Sequence, residues 1–243
     1  MERFKKNLKE SIDCKNNIKA EFIQEYYISY EVYNYFDDYF KKYNLSYNFK
    51  RDKNIGAIVM NCNPFTRGHG YLIEKACEKV DLLYVFVVEE DKSYFSFEDR
   101  YEMVKGNVAD LPKVKVIPSG KYIISKDTFA QYFEKDVVTV VNSMDYDVRI
   151  FGEVLAEKLG IKYRFVGEEP FDIVTKEYNE TIKRILPEYG IQVEEIPRLK
   201  SEDENIISAT KVRELYKNEN YEELEKYCPN YTIEYLKKLR YKI

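Results

Sequence analysis

At 243 residues, 44% of them hydrophobic, the chain can bury a sizeable core, either as one α/β domain with an appendage or as two small domains. A formal net charge of −4, with no basic tail and no dense Lys/Arg stripe, excludes a nucleic-acid or membrane-surface role. The longest apolar run, Leu82 to Val88, is too short to span a bilayer and the charged N-terminus lacks a signal-peptide core, so a cytoplasmic protein is expected.

Residues 1–50 differ from everything after them. Phe22, Tyr26, Tyr30, Tyr33, Phe36, Phe40, Tyr43 and Tyr47 recur at spacings of three and four, which describes an aromatic seam along a helix or helical hairpin. Twelve of the thirty residues from Glu21 to Lys50 are Tyr or Phe, more than so short a segment can bury within itself. The seam therefore caps the domain that follows or pairs with a second copy in a homodimer, the pairing being slightly preferred. Polar Asn48 to Asn54 sets the boundary, dividing a helical extension at 1–50 from an α/β domain at 51–243.

The next stretch organises the rest. Ile55 to Met60 is an apolar, β-branched run closed by Asn61, Asn63 and Pro64, and reads as a buried strand ending in a turn. Thr66 is a good helix N-cap, and Tyr71, Leu72 and Ala76 then recur at helical spacing. Thr66, Gly68 and His69 thus stand where a strand hands over to a helix N-terminus. Unpaired N–H groups and the positive end of the helix dipole attract anions to such a corner. Gly68 lets a phosphate approach the backbone. His69 is the only histidine in the chain. Of the four cysteines, Cys14, Cys62, Cys77 and Cys228, none has CxxC spacing, so neither a disulfide framework nor a zinc site is expected. Cys62 beside the corner is a small strand-end residue rather than a nucleophile.

Strands and helices then alternate. Leu82–Val88, Val114–Pro118, Tyr163–Val166 and Gln192–Ile196 read as strands. Phe97–Ala109, Ser125–Phe133, Asp145–Leu159 and Phe171–Leu186 read as helices, with Gly160 and Pro187 as stops. Val137–Val141 is assigned neither type. The alternation predicts a doubly wound parallel sheet, whose ligands bind at the carboxyl ends of the strands where the order reverses. A second phosphate-contact candidate, Ser208, Thr210, Lys211 and Arg213, opens a helix after the last strand, combining hydroxyls, positive charge and free N–H groups.

The T-x-G-H at 66–69 resembles that of the HxGH/TxGH nucleotidylyltransferase superfamily. Within it the chain is similar to the nucleotide-binding domain of the citrate lyase ligases, through NPFTRGH at 63–69, FVVEEDKSYFSFEDR at 86–100, YIISKDTFAQYF at 122–133, FVGEEPFDIVTKEYN at 165–179 and ISATKVREL at 207–215. The resemblance implies a Rossmann-like nucleotidylyltransferase fold in which the two motifs grip a triphosphate from opposite sides. Catalytic roles pass to His69, Thr66 and Arg213, and nucleotide contacts to Asn63, Pro64, Phe65, Gly68, Ser208, Thr210 and Lys211. Gly167 and Glu168, with Glu169, are either ribose or adenine contacts or a loop of solvated acids. Asp99 and Arg100 match the family's E-D-R and pin a helix to its neighbour.

The implied reaction takes acetate and ATP to acetyl-AMP and pyrophosphate, with acetyl then passing to the thiol of the prosthetic group on the citrate lyase acyl carrier subunit. Mg²⁺ rides on the phosphates, since no carboxylate cage for a protein-held metal is evident. The resemblance also implies an acetyltransferase-like domain ahead of the nucleotide-binding one, for which the first fifty residues leave no room. Two rival readings use the same site: transfer of AMP or CMP onto a phosphorylated alcohol, and a nucleotide-binding subunit without turnover.

Overall fold

The computed structural model describes residues 28–45, 53–89, 93–125, 128, 142–199 and 207–240. Five parallel strands form one sheet in the order β3-β2-β1-β4-β5: β1 Ile55–Met60, β2 Leu82–Val87, β3 Val114–Pro118, β4 Tyr163–Gly167 and β5 Gln192–Ile196. The first three strands step outward in one direction, and the chain then returns to place β4 on the other side of β1. The sheet is therefore doubly wound, and its order reverses between β1 and β4.

Side-chain alternation sends the strand residues to two cores. Ile58 and Met60 of β1 with Leu83, Val85 and Val87 of β2 pack under α2 (Arg67–Lys79), α3 (Phe97–Asn107), α6 (Ala209–Lys217) and α8 (Asn230–Arg240). Ile55, Ala57, Tyr84, Phe86 and Val166 pack on the opposite face under α1 (Tyr30–Lys42), α4 (142–159) and α5 (Ile173–Ile185). Strands covered on both faces lose the polar half of the alternation, which is why β2 reads LLYVFV without a break. The outer strand β5 keeps it. Its Glu194 and Glu195 meet Lys79 and Lys183 at 2.7 and 3.0 Å.

Helix α4 departs from the simple reading. It starts at Asn142–Ile150, passes through a π-helical stretch at Phe151–Ala156, and recovers in Glu157–Leu159 before Gly160 ends it at φ 67°. The wide turn is met by packing on both sides. A Cβ at Gly152 would stand 2.6 Å from the Tyr189 ring, and the Glu153 carboxylate accepts from the Tyr33 hydroxyl of α1. Helix α5 closes into a 3₁₀ turn at Leu186–Tyr189, where Pro187 is tolerated, and α7 spans Tyr221–Leu224.

Of the two fates expected for the aromatic seam, α1 takes the capping one. Val32, Phe36, Tyr39 and Phe40 are buried in the core, the Tyr39 hydroxyl donates to the Pro118 carbonyl, and Lys121 N–H donates to the Tyr35 hydroxyl at 3.0 Å. Tyr30 instead points to solvent, 74% exposed. Phe22, Tyr26 and Tyr47 lie outside the described residues, as do Val137–Val141 and most of 125–133. No described helix is long and apolar enough to cross a membrane.

Candidate active site

A cavity of about 760 Å³ opens at the carboxyl ends of β1, β4 and β5, where the strand order reverses. One wall is the β1–α2 corner. Thr66 caps α2, its Oγ1 accepting from the His69 amide at 3.4 Å while its own amide donates to His69 Nδ1 at 3.0 Å. The pair forms a capping box in which an imidazole takes the place of the usual acidic or amide side chain. Because Nδ1 accepts, the neutral ring carries its proton on Nε2. Removal from water, with the Arg198 charge adding to it, pushes the His69 pKa down to about 4, so the ring is uncharged at neutral pH. The buried Phe65 ring lies 5.7 Å from the imidazole, centroid to centroid, and backs it.

Gly68 lines the same wall. A Cβ there would meet Thr66 Oγ1 at 3.5 Å and Ile207 Cγ2 at 3.8 Å, both ordinary contacts, so the protein's own packing does not demand glycine. What a methyl would occupy is space in the cavity.

The facing wall is the start of α6. Ser208 caps it, accepting from Lys211 N–H at 3.3 Å, and Ser208, Ala209, Thr210 and Arg213 line the cavity. Arg213 spans the gap between the walls. Its Nη1 donates to the Asn63 carbonyl at 2.6 Å and its Nη2 to Thr210 Oγ1 at 2.9 Å. Two helix N-termini and an arginine thus converge on one space, an arrangement suited to a polyanion.

The third wall follows β4. Gly167 and Glu168 line the cavity, and the Gly167 carbonyl accepts from Asn179 Nδ2 at 3.0 Å. Arg198, at the end of β5, donates through Nε to the Glu168 carbonyl at 2.7 Å and pairs with the Glu169 carboxylate. Glu169 also accepts from the Phe171 and Asp172 amides at 3.1 Å, so this acid is a loop tether.

Most of the residues expected at the site are brought together: Asn63, Thr66, Gly68, His69, Gly167, Glu168, Ser208, Thr210 and Arg213 share the cavity. Pro64 and Phe65 are buried behind it, and Lys211 is exposed on α6 away from its lining. Cys62 lines the cavity but is buried at φ 50°, and burial pushes its thiol up, away from nucleophilic use. Arg100 is fully buried and holds the corner in place, its Nη1 donating to the Asn61 carbonyl at 3.0 Å and the Val88 carbonyl at 2.8 Å. Asp99 accepts from the Tyr235 hydroxyl at 3.0 Å, tying α3 to α8.

Two cavity arginines escaped the sequence reading, Arg164 and Arg198. For Arg198 a signal existed, a cation directly after the last strand of a doubly wound sheet. For Arg164, inside a strand, there was none.

Fold and corner together define a doubly wound α/β domain with an anion-suited cavity where its strand order reverses. The family model for the citrate lyase ligase C-terminal domain matches residues 55–236, and the chain belongs to that family. The [Citrate [pro-3S]-lyase] ligase of Klebsiella pneumoniae is 40% identical over 193 residues, covering 77% of this chain and 56% of that protein. The one from Escherichia coli (strain K12) is 42% identical over 192 residues, covering 76% and 54%. The chain spans about half the length of the curated relatives it matches. Among solved structures, Thermotoga maritima TmcAL bound with alpha-thio ATP shares the fold, with a TM-score of 0.52 at 15% identity over 78% of this chain and 56% of that one.

Proposed function

We propose that the chain carries the AMP-forming acetate ligase chemistry of its family, joining acetate to AMP and passing the acetyl group to the thiol of the citrate lyase prosthetic group. The observation that supports it most is the convergence of the Thr66–His69 corner and the Ser208–Arg213 helix start on one cavity, bridged by the Arg213 to Asn63 bond. In this reading an acetate oxygen attacks the α-phosphorus of ATP, the bond to the bridging oxygen breaks, and pyrophosphate leaves. The nucleophile is already an anion, so no general base is needed, and the site's task is alignment and charge stabilisation. Neutral His69 donates from Nε2–H to the α-phosphate, joined by the N–H groups of α2. Thr210, Arg213 and the start of α6 hold the departing pyrophosphate. The carrier thiol then attacks the acetyl carbonyl, AMP leaves with the bonding pair, and the thiol proton goes to solvent.

Among the described residues no group of three His, Cys, Asp or Glu side chains could cage a metal. Mg²⁺ would therefore come to this site with ATP, on the phosphate oxygens rather than on side chains, and would supply charge neutralisation there. Pyrophosphate release with ATP and acetate, with acetyl-AMP trapped by hydroxylamine, tests the reading. Release that requires a phosphorylated alcohol and yields a stable nucleotide conjugate would overturn it, as would nucleotide binding with no release.

A further inference from the structure

The cavity continues on the face of the sheet that carries α1, α4 and α5, where its lining is Val59, Ile124, Val166 and Ile182 together with Arg164 and Tyr178. Arg164 is 3% exposed, and its guanidinium lies over the Phe151 ring at 4.9 Å. Asp147, the carboxylate whose charge acts on it, is committed elsewhere. That carboxylate accepts from Ile124 N–H at 2.6 Å, from Thr128 Oγ1 at 2.7 Å and from the Tyr178 hydroxyl. No ion pair joins Asp147 to Arg164 among the described residues, and Arg164 Nη1 is buried with no hydrogen-bond partner. Burial lowers the Arg164 pKa to about 10, which still leaves it charged at neutral pH. A charged donor without an acceptor in a low-dielectric wall is costly, and an anionic ligand would remove that cost.

We propose that Arg164 is the anchor for the carboxylate of a short-chain monocarboxylate acceptor, whose hydrocarbon end lies against Val59, Ile124 and Val166. The inference rests on the ligase reading above and names the acceptor's place in it. A single buried donor set among aliphatic side chains suits a small monoanion, whereas a phosphorylated alcohol would bring a dianion and further hydroxyls with no partners there. One carboxylate oxygen accepts from Nη1 and the other attacks the α-phosphorus, with pyrophosphate leaving and no proton transferred.

The test is the full chain and its Arg164→Met and Arg164→Lys variants. The readouts are acetate-dependent pyrophosphate release, separate KM values for acetate and ATP, and melting temperature with and without acetate. Arg164→Met should raise the acetate KM roughly tenfold to hundredfold, as losing a charge-assisted hydrogen bond does, with Arg164→Lys in between and the ATP KM changed less than about threefold. Acetate should raise the melting temperature of the natural protein and not that of Arg164→Met, whose own melting temperature should change little, since only the contact of the guanidinium with the Phe151 ring is lost. An unchanged acetate KM in a variant of an acetate-dependent enzyme would overturn the Arg164 assignment alone. Failure of both variants to fold would overturn it too, making Arg164 structural. Absence of acetate-dependent release in the natural protein would sink the ligase reading and this inference with it, as would tighter binding of a phosphorylated alcohol than of acetate.

Discussion

The Thr66 amide donates to His69 Nδ1 at 3.0 Å, and that one bond leaves the only imidazole of the chain with its proton on Nε2. A single histidine makes the consequence easy to read. Without nucleotide the His69 ring should titrate near pH 4 by NMR, and a non-hydrolysable ATP analogue should raise that value, because added negative charge favours the imidazolium. An unfolded chain protonates the ring near its ordinary 6.5, so stability from the neutral ring is complete above that pH and is lost as pH falls toward 4. Between pH 7 and 5 the natural protein should therefore lose more melting temperature than His69→Gln. A ring that titrates near 6.5 in the folded, nucleotide-free protein would contradict the geometry.

Gly68→Ala should separate stability from binding. The added methyl meets only ordinary contacts and replaces glycine in the first turn of α2, so the fold should be unchanged or stabilised by up to about 1 kcal/mol. ATP affinity should nevertheless fall by about tenfold or more, because the methyl occupies the space a phosphate needs against the backbone. Chemical denaturation and calorimetry on the same sample check both halves.

Thr210→Ala and Arg213→Ala should weaken ATP binding by roughly tenfold to hundredfold and AMP binding by less than about threefold, since both side chains line the cavity and the proposed reading puts them on the β and γ phosphates. Equal losses for the two nucleotides, measured by calorimetry, would move the start of α6 away from the polyphosphate.

Helix α1 is part of the core. Phe36 is fully buried with its ring 5.5 Å from Tyr39, so Phe36→Ala should cost about 3–5 kcal/mol in urea unfolding. A cost under about 1 kcal/mol would mean that α1 is only loosely attached.

The strands, the β1–α2 corner and the start of α6 were readable because each announces itself within a few neighbouring residues: β-branched runs, a Thr or Ser N-cap, a stop at Gly160 or Pro187. The direction in which the Tyr/Phe seam packs was not readable, because α1 rests against the π-helical turn at Phe151–Ala156, and a helical period does not reveal where one turn widens. Arg164 and Arg198 were missed for a related reason. Their positions matter only once β4 lies beside β1 and β5 beside β4, and strand order is a property of the whole chain. Lys211 shows the converse limit, since a motif brings a residue near a site without saying which side of the helix it takes.

The most direct test of the account is the rate of acetate-dependent pyrophosphate release by His69→Ala, compared with the natural protein at saturating ATP. Thr66 keeps its hydroxyl as a cap for α2 in this variant, so the fold should persist while the donor proposed for the α-phosphate, Nε2–H, is gone. kcat should fall by about a hundredfold or more, with the ATP KM changed only a few-fold, as the loss of one donor to developing charge produces elsewhere. Near-natural turnover in a folded His69→Ala protein would contradict it.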